Sequence, residues 1–180
     1  VAIGVGAAGL PLDAGVLLAA LLGMVVIAAL WWSYFDWVIF VAQSRLTELT
    51  GAHRAILARD LYSYLHLPMV AGIVLFALGL KTTLHHVDDE LNTVPALALC
   101  VGAALYLLGH VVFLYRATGH LFRRRTLGGF VLLALVPAAL ALPALAALGL
   151  VSAVCSAIVA YEAIRRREHR ARLRHPELAA

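Results

Sequence analysis

Asp36, Tyr62, Tyr64, His66, Tyr106 and His110 are the residues of this chain whose types can move a proton or hold a small polar ligand. All of them lie inside, or at the edge of, long apolar stretches. Imidazole changes charge near neutral pH, and a carboxylate or phenol within hydrogen-bond reach can hand it a proton or take one. Spacing pairs them. Tyr62 with His66, Tyr106 with His110, and Trp32 with Asp36 are each related as i, i+4, so on a helix each pair shares a face. Where those faces converge, Asp36, His66 and His110 form a hydrogen-bonded cluster suited to a proton relay, a pH switch or a small-solute site. Arg59 and Asp60 are adjacent. They form an interfacial ion pair or serve as partners for Asp36 and His110 on neighbouring helices.

The same residues admit plainer roles. Tyr, His and Asp near a membrane interface snorkel to the headgroups or bond across helices as structural glue. Two histidines and a carboxylate are also ligand types for a transition metal, yet no short ligand motif is present, so no metal is assigned. HExxH, Walker, GxSxG and glycine-rich phosphate motifs are absent. The expectation is therefore not an enzyme, with no catalytic residue and no cofactor. A membrane-embedded metal-dependent enzyme is kept only as the second alternative, behind a structural or stress-adaptation membrane component. His85, His86, Asp88, Asp89 and Glu90 read as a solvated acidic loop. Cys100 and Cys155 both fall in apolar runs without a CxxC pair, as small buried residues do.

The elements that must position these side chains follow from composition. Of 180 residues, 63% are hydrophobic and 13% charged, with a mean hydropathy of +0.94. A soluble domain carries about 25% charged residues, so most of this surface does not face water. A helix needs about 20 apolar residues to cross a bilayer. The spans predicted on that basis are 14–42, 54–80, 94–115, 127–141 and 143–164, followed by a basic tail over 165–180. Asp13 can cap the first span, and Trp31-Trp32-Ser33-Tyr34-Phe35-Asp36-Trp37 has the aromatic density of a membrane–water interface. Pro68 should kink the second span and free a carbonyl near Tyr64. Residues 81–93 read as an acidic loop and 116–126 as a basic one holding Arg123-Arg124-Arg125. The apolar run 127–161 would measure about 52 Å as one helix, too long for a core of roughly 30 Å, so Pro137 and Pro143 should divide it around 140–143. Gly102 and Gly109, one heptad apart, and Ser152 and Ser156 suit close helix packing.

Charge orients the chain. Thirteen arginines lie on one set of connectors and the tail, and Lys81 alone lies on the other. The positive-inside rule then predicts an all-α, polytopic transmembrane helical bundle of five transmembrane helices, N-terminus outside and C-terminus cytoplasmic. The candidate residues, with Tyr161 and Glu162, fall in the inner leaflet. The pI near 9.4 is accounted for by topology, and no nucleic acid partner is expected. The expected partner is the lipid bilayer. The Arg-rich tail reads first as a topology anchor and second as a site for anionic lipids, at about 1 kcal/mol per residue. A homo-oligomer is compatible with the sequence. Residues 1–10 read as the end of an earlier helix, and without a basic n-region they are not a signal peptide.

Trp31-Trp32-Ser33-Tyr34-Phe35-Asp36, the run Arg59-Asp60-Leu61-Tyr62-Ser63-Tyr64-Leu65-His66-Leu67-Pro68-Met69-Val70-Ala71-Gly72-Ile73, and Tyr106-Leu107-Leu108-Gly109-His110 together resemble the bacterial low temperature requirement protein A (LtrA) family. The match in order and spacing covers most of the chain, and the last two spans agree in hydropathy alone. The resemblance implies a multi-pass protein of the bacterial cytoplasmic (inner) membrane linked to cold adaptation, and N-terminal helices of a full-length protein that are missing here. It implies no catalytic residue. Carried over by motif, Asp36, Tyr62, Tyr64, His66 and His110 are where a shared role would reside.

Overall fold

A computed structural model describes residues 2–9 and 13–174, with the side chains of all of these except 2, 5, 36, 37 and 165–174. The described chain is all helix apart from turns and one isolated bridge. A short α1 (Ala2–Ala7) precedes α2 (Ala14–Ser33), whose start is capped by Asp13 accepting from the Val16 N–H at 2.8 Å. A π turn (Tyr34–Val38) joins α2 to α3 (Ile39–Glu48) without a break. Then come α4 (Gly51–Arg59), a second π turn (Asp60–Tyr64) and α5 (His66–His85). α6 (Thr93–Thr118) ends at Gly119, whose φ of +74° suits glycine. α7 (Arg123–Ala134), α8 (Val136–Ala141) and α9 (Ala144–Arg174) complete the chain.

Five helical segments are long and apolar enough to cross a membrane: Ala14–Ser33, Gly51–His85, Thr93–Thr118, Arg123–Ala141 and Ala144–Ile164. The expected five-helix bundle is present. α6 is its axis: 72% of its apolar window is buried, against 28–33% in the other four. Leu17, Leu21 and Met24 of α2, Val70 and Val74 of α5, and Leu127 and Phe130 of α7 stay exposed. Apolar side chains on the outside of a membrane-length helix are solvated by lipid tails, so this surface needs no other cover.

Several boundaries differ from the sequence reading. The stretch 43–51 is helical to Glu48, so the connector shrinks to Leu49 and Thr50. Lys81 and His85 belong to α5, and the acidic loop begins at His86. The basic run Arg123-Arg124-Arg125 is the first turn of α7 and not a loop. At the opposite end, the loop 86–92 is tied to the start of α9: Ala144 N–H donates to Asp89 O at 2.8 Å and Leu145 N–H to Val87 O at 3.1 Å. These bonds satisfy donors that a helix start otherwise leaves open.

α5 and α6 make the most extensive helix contact. Glycine allows it. A Cβ on Gly72 would lie 2.7 Å from the Gly102 carbonyl oxygen and 2.8 Å from the Tyr106 nitrogen, while one on Gly102 would collide with the backbone of Phe76. Small residues at facing positions let backbones approach where no hydrophobic effect drives helices together. The packing sets the distance between His66 on α5 and the Tyr106–His110 face of α6.

The first π turn shifts the core stripe. Along α2, buried positions recur every three or four residues: Val16, Ala19, Gly23, Val26, Leu30, Ser33. The next are Val38 and then Ala42, so the stripe steps by five residues across the turn. At the second π turn the half-buried His66 lies five residues after the buried Leu61, and its ring reaches the Leu61 carbonyl. The proline effect thus takes a different form from the one expected. The irregularity is a π turn just upstream of Pro68, and the carbonyl that gains a side-chain donor is Leu61's.

Candidate functional site

The site lies toward the end of the bundle where α3 turns into α4 and α6 into α7. Tyr34, first residue of the π turn after α2, is its hub. Its hydroxyl is 3.2 Å from His66 Nε2. Its ring stacks on His110 (centroids 5.7 Å, 22°) and meets His66 edge-on (5.7 Å, 86°). The tautomer of His66 follows from its second contact. Nδ1 lies 3.0 Å from the Leu61 carbonyl oxygen, which can only accept, so Nδ1 carries a hydrogen. In the neutral ring Nε2 is then the acceptor and the Tyr34 hydroxyl donates to it. When the ring gains a proton, that bond reverses and Nε2–H donates to the phenol oxygen.

Two of the three helical pairs read from spacing are in contact, and the third, Trp32–Asp36, involves a side chain outside the described residues. Tyr62 stacks on His66 at 5.7 Å, and Tyr106 meets His110 edge-on at 4.4 Å. Phe113 closes the space between Tyr62 and His66. Tyr106 is held by its hydroxyl, which donates to the Leu30 carbonyl at 3.0 Å. The structure therefore brings His66, His110, Tyr62 and Tyr106 around Tyr34. Tyr64 is exposed and carries the Arg59 guanidinium over its ring at 5.4 Å, away from that centre. Asp36 occupies the first π turn by backbone, and its side chain lies outside the described residues. Asp60 pairs with Arg59 at 3.1 Å and with Arg116 of α6 at 2.8 Å. Arg59 and Asp60 form an ion pair, with Arg116 as its third member, and among the described side chains neither bonds His110.

The sequence reading missed a buried ion pair. Arg125 is 2% exposed. Its Nε donates to Glu162 Oε1 and its Nη2 to Glu162 Oε2, both at 2.7 Å, and Nη2 also donates to the Ser33 carbonyl at 3.2 Å. Arg125 joins α7 to α9 and to the end of α2, one residue before Tyr34. A signal was available: Arg125 shares a helix face with Gly128, Gly129 and Leu132, all buried.

Four buried side-chain atoms among the described residues have no hydrogen-bond partner: both ring nitrogens of His110, Ser33 Oγ and Arg125 Nη1. They belong to three residues of one neighbourhood. Arg125 bonds Ser33, Ser33 precedes Tyr34, and Tyr34 stacks on His110. Among the described residues no three His, Cys, Asp or Glu side chains gather as metal ligands.

Five membrane-length apolar helices around an imidazole-bearing polar centre define an integral, multi-pass α-helical membrane protein. The model of the family described as Bacterial low temperature requirement A protein (LtrA) matches residues 1–160, and the chain belongs to that family. No curated protein and no solved structure matches it.

Proposed function

We propose that this membrane protein moves or senses a proton, or a small solute with one, through the Tyr34, His66 and His110 centre, with Tyr62 and Tyr106 fixing the two rings. The observation that carries this reading is the Leu61–His66–Tyr34 hydrogen-bond chain. One end is locked by a carbonyl that can only accept. The other ends on a hydroxyl whose bond direction changes when the imidazole protonates. A group inside an apolar bundle that can be charged or neutral, with a partner suited to both forms, is what a proton-handling site needs. By the arginine distribution, the centre lies toward the cytoplasmic end of the spans in a bacterial inner membrane, and its role belongs to adaptation to cold.

The test is proton flux into proteoliposomes carrying the intact protein and an internal pH-sensitive dye. His66→Ala is expected to reduce flux at least tenfold while the protein inserts and elutes as the wild type does. Unchanged flux refutes the reading. Misfolding of His66→Ala alone is resolved by Tyr34→Phe, which keeps the ring and removes only the hydroxyl. A folded Tyr34→Phe protein with full flux assigns the cluster to helix packing.

A further inference from the structure

Native proteins pair nearly all their buried polar groups, so a gathering of unpaired ones marks a place where something binds. Here the unpaired atoms of one neighbourhood, linked through the Arg125–Ser33 bond and the Tyr34–His110 stack, are donor-rich. Arg125 Nη1 offers two N–H groups, Ser33 a hydroxyl and His110 a ring N–H, while Glu162 already occupies the other edge of the guanidinium. We propose that Arg125 Nη1, Ser33 Oγ and His110 form a binding site for a small monovalent oxyanion of the carboxylate type, taken up together with one proton on His110. This rests on the proton-handling reading and names its co-substrate.

Charge accounting gives the stoichiometry. Arg125 and Glu162 offset one another's charge. A monoanion beside them would leave one uncompensated negative charge in a water-excluded, low-dielectric centre, which is strongly unfavourable. His110 is fully buried and has both ring nitrogens unengaged, so it can take up a proton and return the site to neutrality. Among the described groups, those facing it are Tyr34 from the first π turn and Tyr106 from its own helix, and His66 from α5 and Arg125 from α7, itself paired with Glu162 of α9, act on it electrostatically. Among these described groups, the only carboxylate is Glu162, already claimed by Arg125. An anion arriving beside His110 favours its protonation. Asp60 and Arg116 form their own pair at the exposed end, outside this set.

The experiment is titration calorimetry of the intact protein in nanodiscs with sodium formate, at pH 5.5 and 7.5, in two buffers of different ionisation enthalpy. Formate is expected to bind with uptake of about one proton, and binding is expected to weaken about tenfold per pH unit once His110 is neutral in the free protein. His110→Gln should abolish proton uptake, and Ser33→Ala should weaken binding several-fold. Neither substitution removes an existing side-chain hydrogen bond among the described residues, so both variants should fold. Absence of formate binding, which would leave ordered water as the occupant, overturns the proposal. So does binding without proton uptake, or uptake unchanged in His110→Gln. Proton flux that persists with no permeant anion present would sink this inference while leaving the proposed function standing. Formate binding with proton uptake but no flux would keep this inference and sink the transport half of the proposed function, leaving a sensor.

Discussion

Arg125 and Glu162 form a bidentate ion pair between α7 and α9, with two bonds of 2.7 Å and the guanidinium almost wholly shielded. Removing one member of such a pair leaves a buried charge alone, which costs about 3–5 kcal/mol, whereas replacing both by apolar groups is far milder. Glu162→Ala should therefore destabilise the protein by about that amount, and Arg125→Met with Glu162→Leu by much less. Thermal unfolding in detergent, compared between the single and double variants, checks this. A single variant as stable as wild type would show that water reaches Arg125.

The α5–α6 packing leads to a second expectation. Valine at Gly102 would push its side chain into backbone atoms of α5, which cannot rotate aside. Overpacking of this kind costs about 1–3 kcal/mol, and here the upper end is expected. The helices would also separate, drawing His110 away from His66, so flux should fall in whatever fraction of Gly102→Val still folds. Residual protein with native flux would mean that this spacing does not set the site.

Tyr106 gives a quieter test. Its hydroxyl donates to the Leu30 carbonyl inside the bundle. Tyr106→Phe should lower stability by about 0.5–1.5 kcal/mol, the range for one hydrogen bond, and leave proton uptake intact because the ring still abuts His110. A loss of flux without a loss of stability would place Tyr106 in the proton path.

Orientation is open to direct labelling. Cys100 and Cys155 are buried and free, so a membrane-impermeant maleimide should ignore them. In intact cells, Asp88→Cys should be labelled and Ser44→Cys should not, until the membrane is permeabilised. The opposite pattern would invert the orientation read from the arginines.

Fold and site differed in how far they could be read in advance. Long apolar stretches punctuated by Pro137, Pro143 and charged connectors make five spans legible, because bilayer thickness leaves few alternatives. The pair Tyr106–His110 was also legible, since i, i+4 neighbours meet on an α-helix, and Tyr62–His66 makes its contact although it begins inside the second π turn. Tyr34 was not recognised as the hub because a π turn breaks the 3.6-residue phase from which faces are read. Arg125 was read as a topology charge because it sits in a run of three arginines, and its burial depends on Glu162, distant in sequence and adjacent only in space. The orphaned atoms of Ser33 and His110 exist only once the helices are packed.

The π turn at Tyr34–Val38 has a consequence for how such a site can be gained or lost. A π turn is an α-helical turn that has absorbed one extra residue, and such turns concentrate at functional sites. Deleting one residue there would restore ordinary α-helix while leaving α2 and α3 in their present phase. The bundle would persist, but the phenol would no longer be aimed at His66. Fold and chemistry are thus separable by a single codon, with the chain's length at that point, as much as any side chain, deciding whether the centre exists.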